Sequence, residues 1–148
     1  MNEDFVPYEL AVKLKEKGFD EECLAYYTSE YTLYTNKIVF CDDKYLEVEE
    51  IDYEECLRSY NTQKDRLLRN IVDAPTISQV LKWLREKKIY IVIAVNPTLS
   101  TKDKIAYYYQ IYFNSTGVGS DYYESEECYA QWEECATDSI KYVIDNLI

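Results

Sequence analysis

The strongest constraint in this sequence is a change of hydrophobic period within residues 75–114. Over Pro75–Lys87 the apolar positions recur every three or four residues, which predicts an amphipathic helix. A proline suits the first turn of a helix, and the cations at the end of the segment suit the negative end of the helix dipole. The expected buried stripe consists of Ile77, Val80, Leu81 and Leu84, with Trp83 near its edge.

Beyond this helix the pattern has a period of two, which indicates β-strands. Ile89–Asn96 is uncharged and largely β-branched, and Ile105–Asn114 combines isoleucine with tyrosine. Because a short polar connection joins the two segments, we expect an antiparallel hairpin. One face of this hairpin is strongly apolar, and the other carries Tyr90, Tyr108 and Tyr112.

The first part of the chain predicts a second helix followed by strands. The helix is expected over about Pro7–Lys17, with Gly18 ending it in a left-handed conformation and Phe19 folding back toward the helix. Strands are expected at Cys23–Tyr27 and within Tyr31–Cys41, where β-branched and aromatic residues are concentrated.

The middle and the end of the chain are less regular. The acidic segment from Asp42 to Glu55 is expected to be a loop, with a short helix from Tyr53 to about Tyr60. The polar segment Asn61–Asn70 is consistent with helix or strand. The closing helix is expected to begin after Ser125, a favourable N-cap residue. Its apolar stripe comprises Cys128, Trp132, either Cys135 or Ala136, Ile140, Val143, Ile144 and Leu147.

Together these segments predict one α+β domain spanning residues 1–148, with a small antiparallel sheet of about four strands and helices packed mainly on one face. A weak internal similarity joins Leu14–Phe19 to Leu84–Ile89, and strands are expected after both. Two duplicated helix–strand–strand units would explain it, but short helix ends rich in lysine and glutamate also match by chance.

The formal net charge of −12 disfavours direct binding to nucleic acid or to a membrane surface, because phosphate contacts require lysine and arginine. It favours protein partners with a basic surface, although much of this charge is ordinary solubilising surface. We expect a cytoplasmic protein, since no apolar run is long enough to span a membrane and the acidic start does not resemble a signal peptide. The oligomeric state stays open.

Five cysteines, with no C-x-x-C spacing, suggest buried free thiols in a reducing cytoplasm. Placing Cys128 and Cys135 on one helix would separate them by about 10.5 Å, which is too far for a disulfide.

The absence of histidine removes the commonest general base and metal ligand, so a non-enzymatic role is favoured. We assign no catalytic, cofactor or metal residue. Gly117 and Gly119 superficially match a phosphate-binding turn, but an ordinary turn explains them better. An oxygen-ligand site for Ca²⁺ or Mg²⁺ is conceivable among Asp42, Asp43, Glu47, Glu49, Glu50 and Asp52, and a solvated acidic loop is the simpler interpretation.

Two stretches carry a resemblance to a known family: Phe5-Val6-Pro7-Tyr8-Glu9-Leu10-Ala11 with Lys15–Cys23, and Ala74-Pro75-Thr76 with Gln79-Val80 and Lys82–Lys87. Together they resemble a family of small uncharacterised proteins that recur in prophages and mobile elements of gut anaerobic bacteria. The similarity covers roughly residues 5–27 and 73–95, whereas residues 28–72 depart from that family. The resemblance implies an intracellular accessory role and no known activity.

Three functional hypotheses follow. The first is a protein-interaction module that binds through Tyr90, Tyr108 and Tyr112, because an uncovered aromatic patch is typical of protein-binding surfaces. The alternative for that face is that a helix or the acidic segment covers it. The second hypothesis is an acidic mimic of nucleic acid that inhibits a DNA-binding or defence enzyme. The third is a small-ligand-binding or metal-dependent enzyme, which would need a closed pocket with convergent polar groups.

Overall fold

The protein is α+β, as expected, and its described residues form three helices and small antiparallel sheets. The structure, a computed structural model, describes residues 5–28, 33–34, 37–41, 45–49, 71–113 and 121–148. Two compact units divide the chain, residues 5–76 and residues 77–148. The strands are distributed over sheets of three, two and three strands. That the whole chain is one cooperative domain stays a prediction.

The unit of residues 5–76 is built around α1 (Tyr8–Glu16) and a short sheet. Its central strand is β1 (Ala25–Tyr27), which pairs antiparallel with β2 (Leu33–Tyr34) and with β5 (Val72–Ala74). A separate hairpin is formed by β3 (Lys37–Cys41) and β4 (Tyr45–Glu49). The buried apolar residues of this unit are Val6, Leu10, Ala11, Leu14, Phe19, Cys23, Ala25, Tyr26, Tyr27, Ile71, Val72 and Ala74.

The predicted end of the first helix is confirmed. Gly18 has a φ of 85°, and its N–H donates to the Lys15 carbonyl at 3.1 Å. The Phe19 N–H donates to the Leu14 carbonyl at 2.9 Å, and the Phe19 side chain is buried. These two hydrogen bonds define a Schellman ending, in which a glycine adopts the left-handed conformation at no steric cost.

The acidic segment is not only a loop. Tyr45–Glu49 forms β4, and its residues pair with Lys37–Cys41 from Lys37 opposite Glu49 to Cys41 opposite Tyr45. The alternation of apolar and acidic residues in this short stretch is hard to recognise among its many acidic neighbours. Its extended conformation is decided by pairing with β3. β5 (Val72–Ala74) was also missed, because three residues are too few to show a period. The predicted helix Tyr53–Tyr60 and the segment Asn61–Asn70 lie outside the described residues.

The unit of residues 77–148 contains the stretch with the clearest sequence pattern. α2 (Ile77–Glu86) leads into β6 (Tyr90–Val95), β7 (Tyr107–Phe113) and β8 (Asp121–Glu124), and α3 (Trp132–Asn146) closes the chain. The strand order is β6-β7-β8, with both pairs antiparallel. Both helices pack against the sheet and against each other. The buried apolar residues are Ile77, Val80, Trp83, Leu84, Ile89, Tyr109, Ile111, Cys135, Ala136, Ile140, Val143 and Ile144.

α2 ends in the same way as α1. Lys88 has a φ of 64°, the Lys88 N–H donates to the Arg85 carbonyl, and the Ile89 N–H donates to the Leu84 carbonyl, both at 3.0 Å. The sequence similarity between the two helix ends therefore corresponds to one shared capping geometry. Trp83 is buried rather than peripheral, with the Lys87 ammonium 4.5 Å from its ring centroid.

α3 begins at Trp132, so the expected N-cap at Ser125 is wrong. The Ser125 N–H donates to the Tyr109 carbonyl at 3.0 Å, and the Ser125 hydroxyl accepts a hydrogen bond from the Tyr109 N–H at 3.1 Å. Further along, Tyr129 exchanges backbone hydrogen bonds with Tyr107. After β8 ends, the chain thus continues alongside β7. Because these residues are hydrogen-bonded to β7, the helix begins only after them. Cys128 and Trp132 consequently lie outside the buried stripe, and both are exposed.

Within the described ranges, none of the helices combines the length and apolar character required to cross a lipid bilayer.

Candidate functional site

The predicted tyrosines share one face of the three-stranded sheet. Residues directly opposite each other in an antiparallel pair project on the same side. Tyr90 lies opposite Tyr112, and Ala94 lies opposite Tyr108. The third strand, β8, extends this face, because Tyr122 lies opposite Tyr112. We call this surface the tyrosine face; it consists of Tyr90, Val92, Ala94, Tyr108, Gln110, Tyr112, Tyr122 and Glu124.

The two sides of the sheet differ in exposure at the central strand, although Val95, at the end of β6 on the opposite side, is also exposed. On the tyrosine face Tyr90 is 38% exposed, Val92 43% and Tyr122 49%. On the opposite side Tyr109 is 5% exposed and Ile111 is fully buried, where α2 and α3 pack. Tyr108 and Tyr112 are half-buried. Tyr90, Val92 and Tyr122 are therefore exposed, and the alternative that the segment Asp42–Asn70 covers this face falls largely outside the described residues.

Tyr90, Tyr112 and Tyr122 form a row across the three strands. The Tyr112 and Tyr122 rings have centroids 5.1 Å apart and planes inclined at 48°. Their neighbours fix the outer ring: the Tyr122 hydroxyl donates to Glu124 Oε1 at 2.8 Å, and Gln110 Nε2 donates to the Tyr122 hydroxyl at 3.0 Å. The hydrogen bond to Glu124 raises the pKa of Tyr122. The hydroxyl thus remains protonated at neutral pH, and these two hydrogen bonds fix the position of the Tyr122 ring.

A cavity of about 420 Å³ adjoins one end of the tyrosine face. It shares Tyr108 and Glu124 with that face and is further lined by Asn96, Pro97, Leu99, Ser125, Glu126 and Cys128. The Asn96 side chain shapes one wall, because its Oδ1 accepts the N–H groups of Thr98 at 3.0 Å and Leu99 at 3.2 Å. With a tyrosine ring and two carboxylates in its lining, the cavity suits a cationic side chain better than an anionic one.

The inner side of the sheet holds a second aromatic cluster with a structural role. Tyr123 stacks on Tyr142 of α3 with ring centroids 3.9 Å apart, and Tyr109 lies 6.1 Å from Tyr123 and 6.2 Å from Tyr129. Burial raises the pKa of the Tyr109 and Tyr129 hydroxyls, and it raises the pKa of the Cys135 thiol to about 12. At neutral pH these groups are protonated, so Cys135 is a poor nucleophile.

The other sequence candidates gain no support. Gly117 and Gly119 lie outside the described residues, as do Asp42, Asp43, Glu50 and Asp52 of the acidic segment. Glu47 and Glu49 lie on β4. In the part of the chain that the structure describes, no group of three or more cysteine, aspartate or glutamate side chains could hold a metal ion.

Cys23, Cys128 and Cys135 are free thiols, as expected, but only Cys23 and Cys135 are buried, and Cys128 is exposed. Cys128 precedes α3, so the expectation that Cys128 and Cys135 lie on one helix is wrong.

Sequence reasoning missed the contribution of β8 to the tyrosine face. Tyr122 and Glu124 follow a stretch containing two glycines, and the four residues Asp121–Glu124 are too few to display a clear alternation. Their placement depends on pairing with β7, which is a tertiary property. The paired aromatic residues of Asp121-Tyr122-Tyr123-Glu124 were the available signal, since aromatic side chains favour strands.

No protein-family model, curated protein or solved structure matches this chain. The resemblance to prophage-encoded proteins therefore stays an expectation.

Proposed function

We propose that this protein is a non-enzymatic protein-interaction module that binds a partner protein through the tyrosine face. The observation that carries the proposal is the row formed by Tyr90, Tyr112 and Tyr122 across three strands, because its outer rings are exposed on a sheet whose other side is the core. The sequence resemblance extends the proposal to a cytoplasmic accessory role in a phage or mobile element.

The chemistry of the row supports protein binding rather than catalysis. Tyrosine buries a large apolar ring and keeps a hydroxyl available for hydrogen bonding, and aromatic residues are enriched at interfaces. Val92 adds apolar area beside Tyr90, and Gln110 with Glu124 holds Tyr122 in place. Ordering these side chains before binding lowers the entropic cost of association, since fewer rotamers remain to be immobilised.

Charge at the β8 edge supports a partner with a basic surface. Asp121, Glu124, Glu126 and Glu127 are all exposed there, and the chain as a whole has a formal net charge of −12. Complementary charge accelerates association and disfavours acidic competitors. Exposed charges are screened over about 8 Å at physiological ionic strength, so binding of a basic partner should weaken as salt is added.

The test is a quantitative comparison of partners captured from the native host by three forms of the protein. The first is wild type, and the second is the double variant Tyr90→Ser/Tyr122→Ser, which removes the two exposed rings of the row. The control is Trp132→Ser, which removes an aromatic side chain that is 37% exposed at the start of α3, away from the tyrosine face. Any captured protein is then purified and its affinity measured as a function of salt concentration.

We expect the double variant to lose the partner that wild type and the Trp132 control retain, with at least about a tenfold loss of affinity for the purified pair, since truncated aromatic hot spots cost about 2 kcal/mol or more. The melting temperatures of the three forms should be similar, because the substituted side chains are exposed. Equal capture by all three forms, or loss of folding in the double variant alone, would contradict the proposal.

A further inference from the structure

β6 lies at the outer edge of its sheet, and its exposed backbone groups can be assigned from the pairing of β7. The Tyr107 N–H and carbonyl bond to Tyr129, and those of Tyr109 bond to Ser125, so both residues direct their backbone groups away from β6. The residues of β7 that alternate with Tyr107 and Tyr109 must therefore form their backbone hydrogen bonds with β6. Their partners are Tyr90, Val92 and Ala94.

It follows that Ile91, Ile93 and Val95 direct their N–H and carbonyl groups to the free side of β6. Within the described ranges no strand pairs with that side. The side chains of these three residues are at least partly accessible to solvent: Ile91 and Ile93 are half-buried, and Val95 is exposed. The outer side of β6 is thus a row of backbone donors and acceptors with apolar side chains on both faces.

The two edges of this sheet are protected to different degrees. Charged side chains, proline and bulges normally prevent an edge strand from pairing with another chain. β8 carries Asp121 and Glu124, both exposed. In contrast, β6 has the sequence Tyr-Ile-Val-Ile-Ala-Val, with no charge, proline or glycine over its whole length. An unprotected edge of this kind is suited to strand addition.

We propose that β6 pairs antiparallel with β6 of a second copy of this chain, forming a symmetric dimer with one continuous six-stranded sheet. A two-fold axis through Val92 places Val92 opposite its own equivalent and Ile91 opposite Ile93 of the second copy. This register keeps both faces continuous, because residues on one face meet residues on the same face. Ile91 and Ile93 carry free backbone groups on both copies, so they form the hydrogen-bonded pairs around the axis.

The side chains fit this register. Tyr90 lies opposite Ala94 of the second copy, so a large residue meets a small one on the tyrosine face. No charged residue lies within the paired strands, and Lys88, two residues before β6, falls near Asn96 of the second copy rather than near another cation. The pairing therefore adds no direct like-charge contact despite the net charge of −12.

The dimer would join the two tyrosine faces into a single surface, with Val92 covered at its centre. This inference rests on the backbone of β6 and not on the proposed function, because the dimer could form whether or not a partner binds. A failure of the dimer would appear in the mass of the isolated protein, whereas a failure of the proposed function would appear in partner capture.

The first experiment is sedimentation equilibrium of the purified full chain over a range of concentrations. We expect a monomer–dimer equilibrium for wild type. Val92→Lys should weaken it by about tenfold or more, because it places two like charges directly opposite each other. Tyr122→Lys, a change at a similarly exposed residue on the other edge of the same face, should leave the equilibrium unchanged. A wild-type chain that is monomeric throughout, or a dimer that is indifferent to Val92→Lys, overturns the proposal.

The second experiment tests the register by disulfide formation. Val92 of each copy forms a non-hydrogen-bonded pair on the axis, where Cα atoms are about 4.5 Å apart, which is within the range of a disulfide. In a background in which Cys41, Cys56 and Cys128 are replaced by serine, mild oxidation should convert Val92→Cys into a covalent dimer and leave Tyr122→Cys largely monomeric. Equal cross-linking of the two variants would exclude this register and with it the proposed dimer.

Discussion

Tyr112 and Tyr122 lie directly opposite each other on β7 and β8, with ring centroids 5.1 Å apart, while the neighbouring Ile111 is fully buried on the other side of the sheet. The adjacent residues Ile111 and Tyr112 of β7 thus lie on opposite sides of the sheet. The outer pair contributes surface, whereas Ile111 contributes the core that makes the sheet stable.

This difference predicts unequal stability losses. Tyr122→Ala removes an exposed cross-strand aromatic contact, so the free energy of unfolding should fall by about 1 kcal/mol or less. Ile111→Ala leaves a cavity in the core and should cost about 2–5 kcal/mol. Urea denaturation monitored by circular dichroism measures both. Similar losses for the two variants would mean that the tyrosine face is part of the core.

The ends of α1 and α2 predict opposite effects of glycine substitutions. Gly18 and Lys88 both have positive φ, but only Gly18 adopts that conformation without a steric cost. Lys88→Gly should therefore stabilise the protein, and Gly18→Ala should destabilise it, each by about 1 kcal/mol. A Cβ at Gly18 meets no atom within 4 Å, so conformational strain alone is tested. Thermal unfolding of both variants should show shifts of opposite sign.

The N-terminus of α3 can be improved. Gln131 is the N-cap residue, with φ −125° and ψ 140°, and its side chain makes no capping hydrogen bond. Gln131→Asp should supply a carboxylate acceptor for the first-turn N–H groups and raise the free energy of unfolding by about 0.5–1 kcal/mol. Ser125→Ala should instead be destabilising, because it removes the acceptor of the Tyr109 N–H rather than a helix cap. A gain in stability from Ser125→Ala would contradict the backbone pairing described for that segment.

The protein should lose stability under alkaline conditions. Burial raises the pKa of Tyr109 above its ordinary value of 10.0, and it raises that of Cys135 from 9.0 to about 12. As pH rises past 9.0–10.0 the unfolded chain loses these protons while the folded chain keeps them, so the folded state becomes less favoured. Below that range the stabilising contribution of these groups is complete. Urea midpoints measured at increasing pH should decline on the alkaline side.

Tyr109→Phe serves as the control for this alkaline effect. It removes one titrating hydroxyl, so the decline should become shallower, although the lost hydrogen bond to Tyr123 lowers stability at neutral pH. An unchanged alkaline slope in this variant would show that Tyr109 does not contribute to it.

Much of the local structure could be predicted, because its signals lie within a few residues. The helix at residues 75–87 and the hairpin after it were predicted nearly to their ends. Gly18 correctly marked the end of α1. The pairing of Tyr45–Glu49 and of Asp121–Glu124 could not be predicted, since each strand is too short to show a period without its partner.

The tyrosine face, too, was predicted in part from the sequence and decided in part by the tertiary structure. Alternation alone placed Tyr90, Tyr108 and Tyr112 on one face, because side chains of a strand alternate whatever surrounds it. Only the tertiary structure decided that this face is left open at Tyr90, that β8 adds Tyr122 to it, and that Ser125 pairs with β7 instead of capping a helix. Those outcomes depend on which distant segments pack together, and that is settled by competition among long-range contacts rather than by any residue's own preference.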